Sequence, residues 1–123
     1  MNIVINYMKE WRAEQHNLKT SSDIQGIVKS MPDISLKQVH LNVTSLKKYL
    51  SEHDTDMLFI YGCDNKVSVV EDIAKLKDKY QKVKIVLHLY DPKSTLLLKC
   101  IDLRINDIIT LDDTQTIIKE ISD

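Results

Sequence analysis

The fold that the sequence predicts is an α/β domain of the (βα)5 type, a doubly wound five-stranded parallel sheet with helices on both faces. Three observations carry that prediction. Strand-length apolar runs alternate with amphipathic helix-length stretches along nearly the whole chain, the order a parallel sheet needs because each crossover has to traverse one of its faces. Two of the runs, Met57-Leu58-Phe59-Ile60 and Ile85-Val86-Leu87, are continuously apolar, as strands covered on both sides are. With 123 residues, the chain has the length of one domain that buries roughly two-thirds of its unfolded surface, so a single core suffices.

Ile3-Val4-Ile5 opens the sheet. After a polar segment from Lys9 to Ser21, Ser22-Asp23-Ile24-Gln25 has the spacing of a capping box ahead of Ile24, Ile27, Val28 and Met31 on one helical face. Pro32 ends that helix, and whether Trp11 to Leu18 belongs to it or forms a separate turn stays open. Val39, Leu41 and Val43 alternate with His40 and Asn42, a period of two that predicts a strand with one polar face, nearer an edge. Thr44 is placed to cap a short helix carrying Leu46, Tyr49 and Leu50, which leads into the central run at Met57.

Val69, Ile73, Leu76 and Tyr80 then fall at helical spacing, with Lys75, Lys77, Asp78 and Lys79 on the solvated side. The strand at Ile85-Val86-Leu87 follows. Asp91-Pro92 predicts a cap and a first-turn proline for a helix whose buried stripe is Leu96, Leu97, Cys100 and Leu103. Ile108-Ile109 is the last strand, and Asp112, Asp113 and Thr114 head a final helix bearing Ile117, Ile118 and Ile121. No repeat, low-complexity tract or linker interrupts the order, so residues 1–123 are expected to form one domain.

Composition excludes several classes of function. Seventeen basic residues against eighteen acidic ones leave a net charge of -1, so no global field draws the chain to nucleic acid or an anionic bilayer. DNA contact is expected only through a separate domain. No run of about 18 apolar residues marks a membrane span, and the start of the chain lacks a basic leader; the expected location is the cytoplasm. Cys63 and Cys100 are 37 positions apart, the spacing of neither a metal pair nor a disulfide framework, and read as reduced thiols. Gly26 and Gly62 are the only glycines, which rules out a P-loop or a Gly-x-Gly-x-x-Gly turn. His16, His40 and His53 show no ligand spacing, so neither a metal nor a cofactor is expected.

From Asp56 onward the spacing resembles the receiver domain of bacterial response regulators, a flavodoxin-like (βα)5 family. Asp56-Met57-Leu58-Phe59-Ile60-Tyr61 is similar to the apolar run that ends in the family's phospho-accepting aspartate, and Val70-Glu71-Asp72-Ile73 falls where the next helix begins its apolar stripe. Lys84-Ile85-Val86-Leu87-His88 resembles the fourth strand, which in the family ends in Thr or Ser. Leu103 to Leu111 is similar to the stretch that carries the conserved lysine and the switch aromatic, with Leu111 and Ile108 at those two places. Asn6, Tyr7 and Met8 stand where the first strand would end in two metal-binding acids.

The resemblance therefore implies a receiver whose phosphorylation pocket is degenerate at Asn6, Tyr7, Tyr61, His88 and Leu111. Aspartyl phosphorylation needs a carboxylate nucleophile, a divalent cation and a lysine to absorb charge in the transition state. None is assignable here, and a tyrosine hydroxyl with a pKa of about 10 is a poor nucleophile without a base. Asp64, three residues past Tyr61, reads as a turn residue rather than as a displaced acceptor. For His88 three roles stand open: a hydrogen-bonded plug with Tyr61, a base, or a simple strand cap.

The family's dimerising surface implies an interface at Lys99, Asp102, Arg104 and Asp107, which put both charge signs on or beside the corresponding elements. The expected function is a non-enzymatic, phosphorylation-independent signalling module. It would be operated by a protein partner or a second copy, as the N-terminal half of a transcription regulator or as a free adaptor. The competing reading is an enzyme or small-molecule binder using the crevice at the strand ends, lined by Tyr61, Asp64, His88 and Asp91.

Overall fold

In the computed structural model, which describes residues 1–7, 26, 33–63, 65–89, 91–105 and 107–110, the expected sheet is present. Its strands are β1 (Asn2–Tyr7), β2 (Ser35–Val39), β3 (Met57–Cys63), β4 (Lys84–Leu89) and β5 (Ile108–Ile109). All pair in parallel, in the order β2-β1-β3-β4-β5. Three described helices connect them: α1 (Val43–Glu52), α2 (Val67–Lys79) and α3 (Ser94–Asp102). The order reverses at β1, where the chain leaves toward β2 and returns on the other side as β3. In open α/β sheets the carboxyl ends of the strands at such a point form a crevice.

β3 explains its own position. All seven of its residues are buried, and it is flanked by Ile5 of β1 and Val86 of β4 in register with Phe59. Its side chains alternate between two apolar clusters, since successive Cβ atoms leave opposite faces of the sheet. Leu58 and Ile60, with Val4, Ile85, Leu87 and Leu89, meet Leu46 and Leu50 of α1, Val70, Ile73, Ala74 and Leu76 of α2, and Leu96 and Cys100 of α3. Met57, Phe59 and Tyr61 join Ile3, Ile5, Tyr7, Val86 and Ile109 on the other face. Burial of each large apolar side chain contributes about 1.5–3 kcal/mol, and this two-sided burial is why the run carries no polar alternation.

The edge strand departs from expectation. β2 covers Ser35–Val39 and lies outermost, with a half-exposed pattern, so its edge position agrees with the sequence but its span lies earlier. Leu41 is captured by the side chain of Asn6, and Val43 already belongs to α1. The cap of α1 is Asn42 rather than Thr44: its Oδ1 accepts the backbone N–H of Ser45 at 2.8 Å. Capping thus competes successfully with strand continuation.

A second correction concerns Asp91-Pro92. α3 begins at Ser94 with Lys93 as its N-cap and no side-chain capping bond, while Asp91 adopts a left-handed conformation with φ 46°. Proline disfavours the α conformation of the residue before it, so Asp91 cannot enter the helix and the turn is taken up outside it. The C-terminus of α3 closes with Arg104 at φ 62°, where Ile105 N–H reaches the Cys100 carbonyl at 2.9 Å and Arg104 N–H reaches that of Ile101 at 3.0 Å. That is a Schellman closure with arginine at the position glycine usually takes. Ile105 and Cys100, both buried, supply its apolar contact.

The stripe of α2 keeps Ile73 and Leu76 buried as the sequence pattern has them, with Val69 and Tyr80 half-buried against the core, and widens to include Val70 and Ala74. Of the expected first helix only Gly26 is described, as helical and exposed. The rest of that helix, the segment from Trp11 to Leu18 and the final helix with Ile117, Ile118 and Ile121 lie outside the described residues.

Candidate functional site at the strand ends

Asn6, next to last in β1, has no exposure to solvent. Its Nδ2–H donates to the carbonyl of Leu41 at 2.9 Å, and its Oδ1 accepts the N–H of Leu41 at 2.8 Å. The primary amide therefore imitates a peptide group and extends the β1–β2 pairing past the end of β2. A carboxylate at this position, as in a metal-binding receiver pocket, would lack the donor that Leu41 requires.

Beyond Asn6, four rings form a continuous row across the carboxyl ends of four structural segments. His40, just after β2, stacks on Tyr7 of β1 with centroids 5.3 Å apart and planes at 29°. Tyr7 meets Tyr61 of β3 edge-on at 5.6 Å and 62°. Tyr61 lies flat against His88 of β4 at 4.3 Å and 5°. Tyr7 and Tyr61 share one face of the sheet, and the strand period places His88 on that face with Val86, which is why these three side chains meet. Each aromatic pair is worth about 0.5–1.5 kcal/mol beyond the area it buries.

The β3–β4 register that pairs Ile60 with Leu87 brings Tyr61 beside His88, and Gly62 adds a backbone tie to the imidazole. The register between β3 and β4 shifts between Ile60 and Cys63, and Gly62 within the shift has φ 72°, a backbone state that costs glycine nothing. The bulge turns the Gly62 N–H to the Nδ1 of His88, which accepts it at 3.1 Å. Nδ1 must then be unprotonated, which makes the buried imidazole neutral with its proton on Nε2.

Of the residues that the sequence assigns to the degenerate pocket, Asn6, Tyr7, Tyr61 and His88 gather here, whereas Leu111 and Asp64 lie outside the described residues. Asp91 is exposed beside the following loop, and Ile108 packs against the helical cluster. Two members were not singled out from sequence. The sequence reads His40 as a polar-face strand residue without metal-ligand spacing, whereas it directly follows β2. Gly62 was read only as the absence of a glycine motif, although its place beside Tyr61 was a signal of a bulge.

The remaining candidates sit elsewhere. His53 stacks on Tyr49 at 4.1 Å, with Nδ1 3.1 Å from the Tyr49 carbonyl oxygen. Among the described residues no group of three His, Cys, Asp or Glu side chains is placed to hold a metal ion, and no helix is long and apolar enough to cross a membrane. Cys63 and Cys100 are both buried, and burial pushes the Cys100 thiol above its ordinary pKa. Of the expected interface residues, Asp102 and Arg104 are exposed and Lys99 and Asp107 are half-buried. Leu98 and Ile101 lie exposed on the same helix as Lys99 and Asp102.

No protein-family model and no curated protein matches the sequence, and the fold finds parallels among solved structures. The chain is similar to the RcsB response regulator of Salmonella typhimurium, a structure described for its conformational dynamism in DNA interaction, with a TM-score of 0.70 and 15% identity over 98% of this chain. It is also similar to the lysine decarboxylase LdcF of Francisella novicida, with a TM-score of 0.62 and 16% identity over 98% of this chain. The chain spans 58% of the regulator and 17% of the decarboxylase. The fold is receiver-like, α/β with five parallel strands.

Proposed function

We propose that this chain is a receiver-like regulatory module that signals without aspartyl phosphorylation, through a protein partner or a second copy of itself. The supporting observation is the ring row. Tyr61 stands where the resemblance puts the phospho-acceptor, and it is 5% exposed and packed flat on the buried His88. Asn6, at a position the family uses for metal, has both ends of its amide committed to Leu41. Phosphoryl transfer needs an open crevice with a carboxylate and a cation; here packed aromatic and amide groups take that space. The same packing weighs against the competing enzyme or ligand-binding reading, because the faces of Tyr61 and His88 are spent on each other.

The role as one domain of a transcription regulator or as a free adaptor, with any DNA contact made by a separate domain, belongs to this reading, as does an interface at Lys99, Asp102, Arg104 and Asp107. The test is incubation with acetyl phosphate and Mg²⁺ followed by intact-mass measurement, with thermal melting in beryllofluoride and Mg²⁺ alongside. Neither an adduct nor a rise in Tm is expected. A stoichiometric phosphoryl adduct would overturn the proposal.

A further inference from the structure

Two helical stripes face each other on the outer surface, away from the ring row. Asp72, Lys75, Leu76 and Lys79 of α2 follow the spacing of one helix face, and opposite them stand Val43, Thr44 and Lys47 of α1. Together they line a groove of about 270 Å³. Leu76 is buried and Val43 half-buried, and both pack on the core beneath, so the floor is apolar and fixed. Lys47, Lys75 and Lys79 are exposed on the walls with one aspartate, Asp72, among them. The groove is thus cationic on a chain whose net charge is -1. Its walls are tied together, because Tyr80 at the end of α2 donates its O–H to the Lys47 carbonyl at 3.3 Å.

We propose that this α1–α2 groove is a docking surface for an acidic peptide segment of a partner protein. The segment sets one apolar side chain on Val43 and Leu76 and its carboxylates against Lys47, Lys75 and Lys79. Charge complementarity selects the occupant. Three ammonium groups around one carboxylate favour an anionic partner and raise its rate of encounter. The apolar floor asks for a side chain as well as charge, which a peptide has. A nucleic acid backbone needs a basic track that continues along many phosphates, and this groove ends within two helices. Preformed walls reduce the ordering cost of binding. The assignment goes beyond the function proposed above and does not depend on it, since the groove shares no residue with the strand ends.

The probe is a short fluorescein-labelled peptide of glutamate and aspartate with two leucines one helical turn apart, titrated with the whole chain and followed by anisotropy. ¹H–¹³C methyl spectra locate the site. Saturable binding is expected, with shifts at the Val43 and Leu76 methyls. It should weaken at least about fivefold for each of K75E and K79E, since an ion pair is worth up to about 1 kcal/mol and reversal adds repulsion. Both lysines are exposed; K75E should keep the wild-type melting temperature, while K79E, which loses a cation in the last turn of α2 and over the Tyr80 ring, should melt slightly lower. Affinity should also fall when the leucines are replaced by serine. The proposal is overturned by absence of saturable binding, by equal binding of the serine peptide or of a single-stranded oligonucleotide of the same charge, or by methyl shifts confined to other surfaces.

Discussion

The imidazole of His88 lies within 5° of parallel to the ring of Tyr61, at 4.3 Å, while its Nδ1 receives the N–H of the residue that follows that tyrosine. One side chain therefore satisfies the backbone at a bulge and packs on the neighbouring strand's last large ring. The pairing joins the carboxyl ends of β3 and β4, and its removal has a definite cost.

His88→Ala leaves a buried N–H at Gly62 and a cavity under Tyr61. A loss of about 2–4 kcal/mol in unfolding free energy is expected, read from urea denaturation. His88→Asn, whose Oδ1 can take the Nδ1 role, should recover part of that loss but not the stacking. Equal stability of His88→Ala and wild type would remove the plug from the account.

Asn6→Asp replaces a donor with a carboxylate oxygen facing the Leu41 carbonyl. Repulsion and an unpaired buried carbonyl should cost about 1–3 kcal/mol. The variant tests structure against chemistry, because restoring an acid at this position is expected to weaken the fold without creating Mg²⁺ affinity, as measured by calorimetry.

Arg104→Gly should act in the opposite direction. Arg104 holds φ 62° at the end of α3, a state that glycine adopts without a Cβ penalty. The Lys77 ammonium donates to the backbone carbonyl of this residue, so that contact survives the change. A gain of about 0.5–1 kcal/mol is expected, visible as a higher urea midpoint at unchanged m-value.

Cys100 gives a pH dependence. Burial raises its thiol pKa in the folded state, so above the ordinary thiol pKa the folded form holds a proton that the unfolded form has released. Stability should therefore fall as pH rises past that ordinary value and be insensitive to this group below it. Native protein should react slowly with Ellman's reagent at pH 8 and rapidly in urea. Cys100→Ala should flatten the alkaline part of the stability curve.

Much of the fold was legible because two-sided burial leaves a plain mark. Met57 to Ile60 read as a central strand and Ile85 to Leu87 as the strand that follows, and Leu46, Ile73 and Cys100 fell on helix faces that do turn inward. Boundaries were less legible where side chains intervene. The alternation at Val39, Leu41 and Val43 suggested a strand through all three, but the amide of Asn6, 35 positions from Leu41, takes over the pairing there and the Asn42 cap starts a helix at Val43.

Taken alone, the order of apolar periods determined the strand and helix sequence and put Asn6, Tyr61 and His88 at strand ends, because periodicity is a local property of the chain. Only the tertiary structure decided that Tyr61 and His88 stack, that Gly62 bulges to serve the imidazole, and that His40 and Tyr7 continue the row. Such contacts depend on strand order and register, which come from packing of distant segments against one another and carry no signature in neighbouring residues.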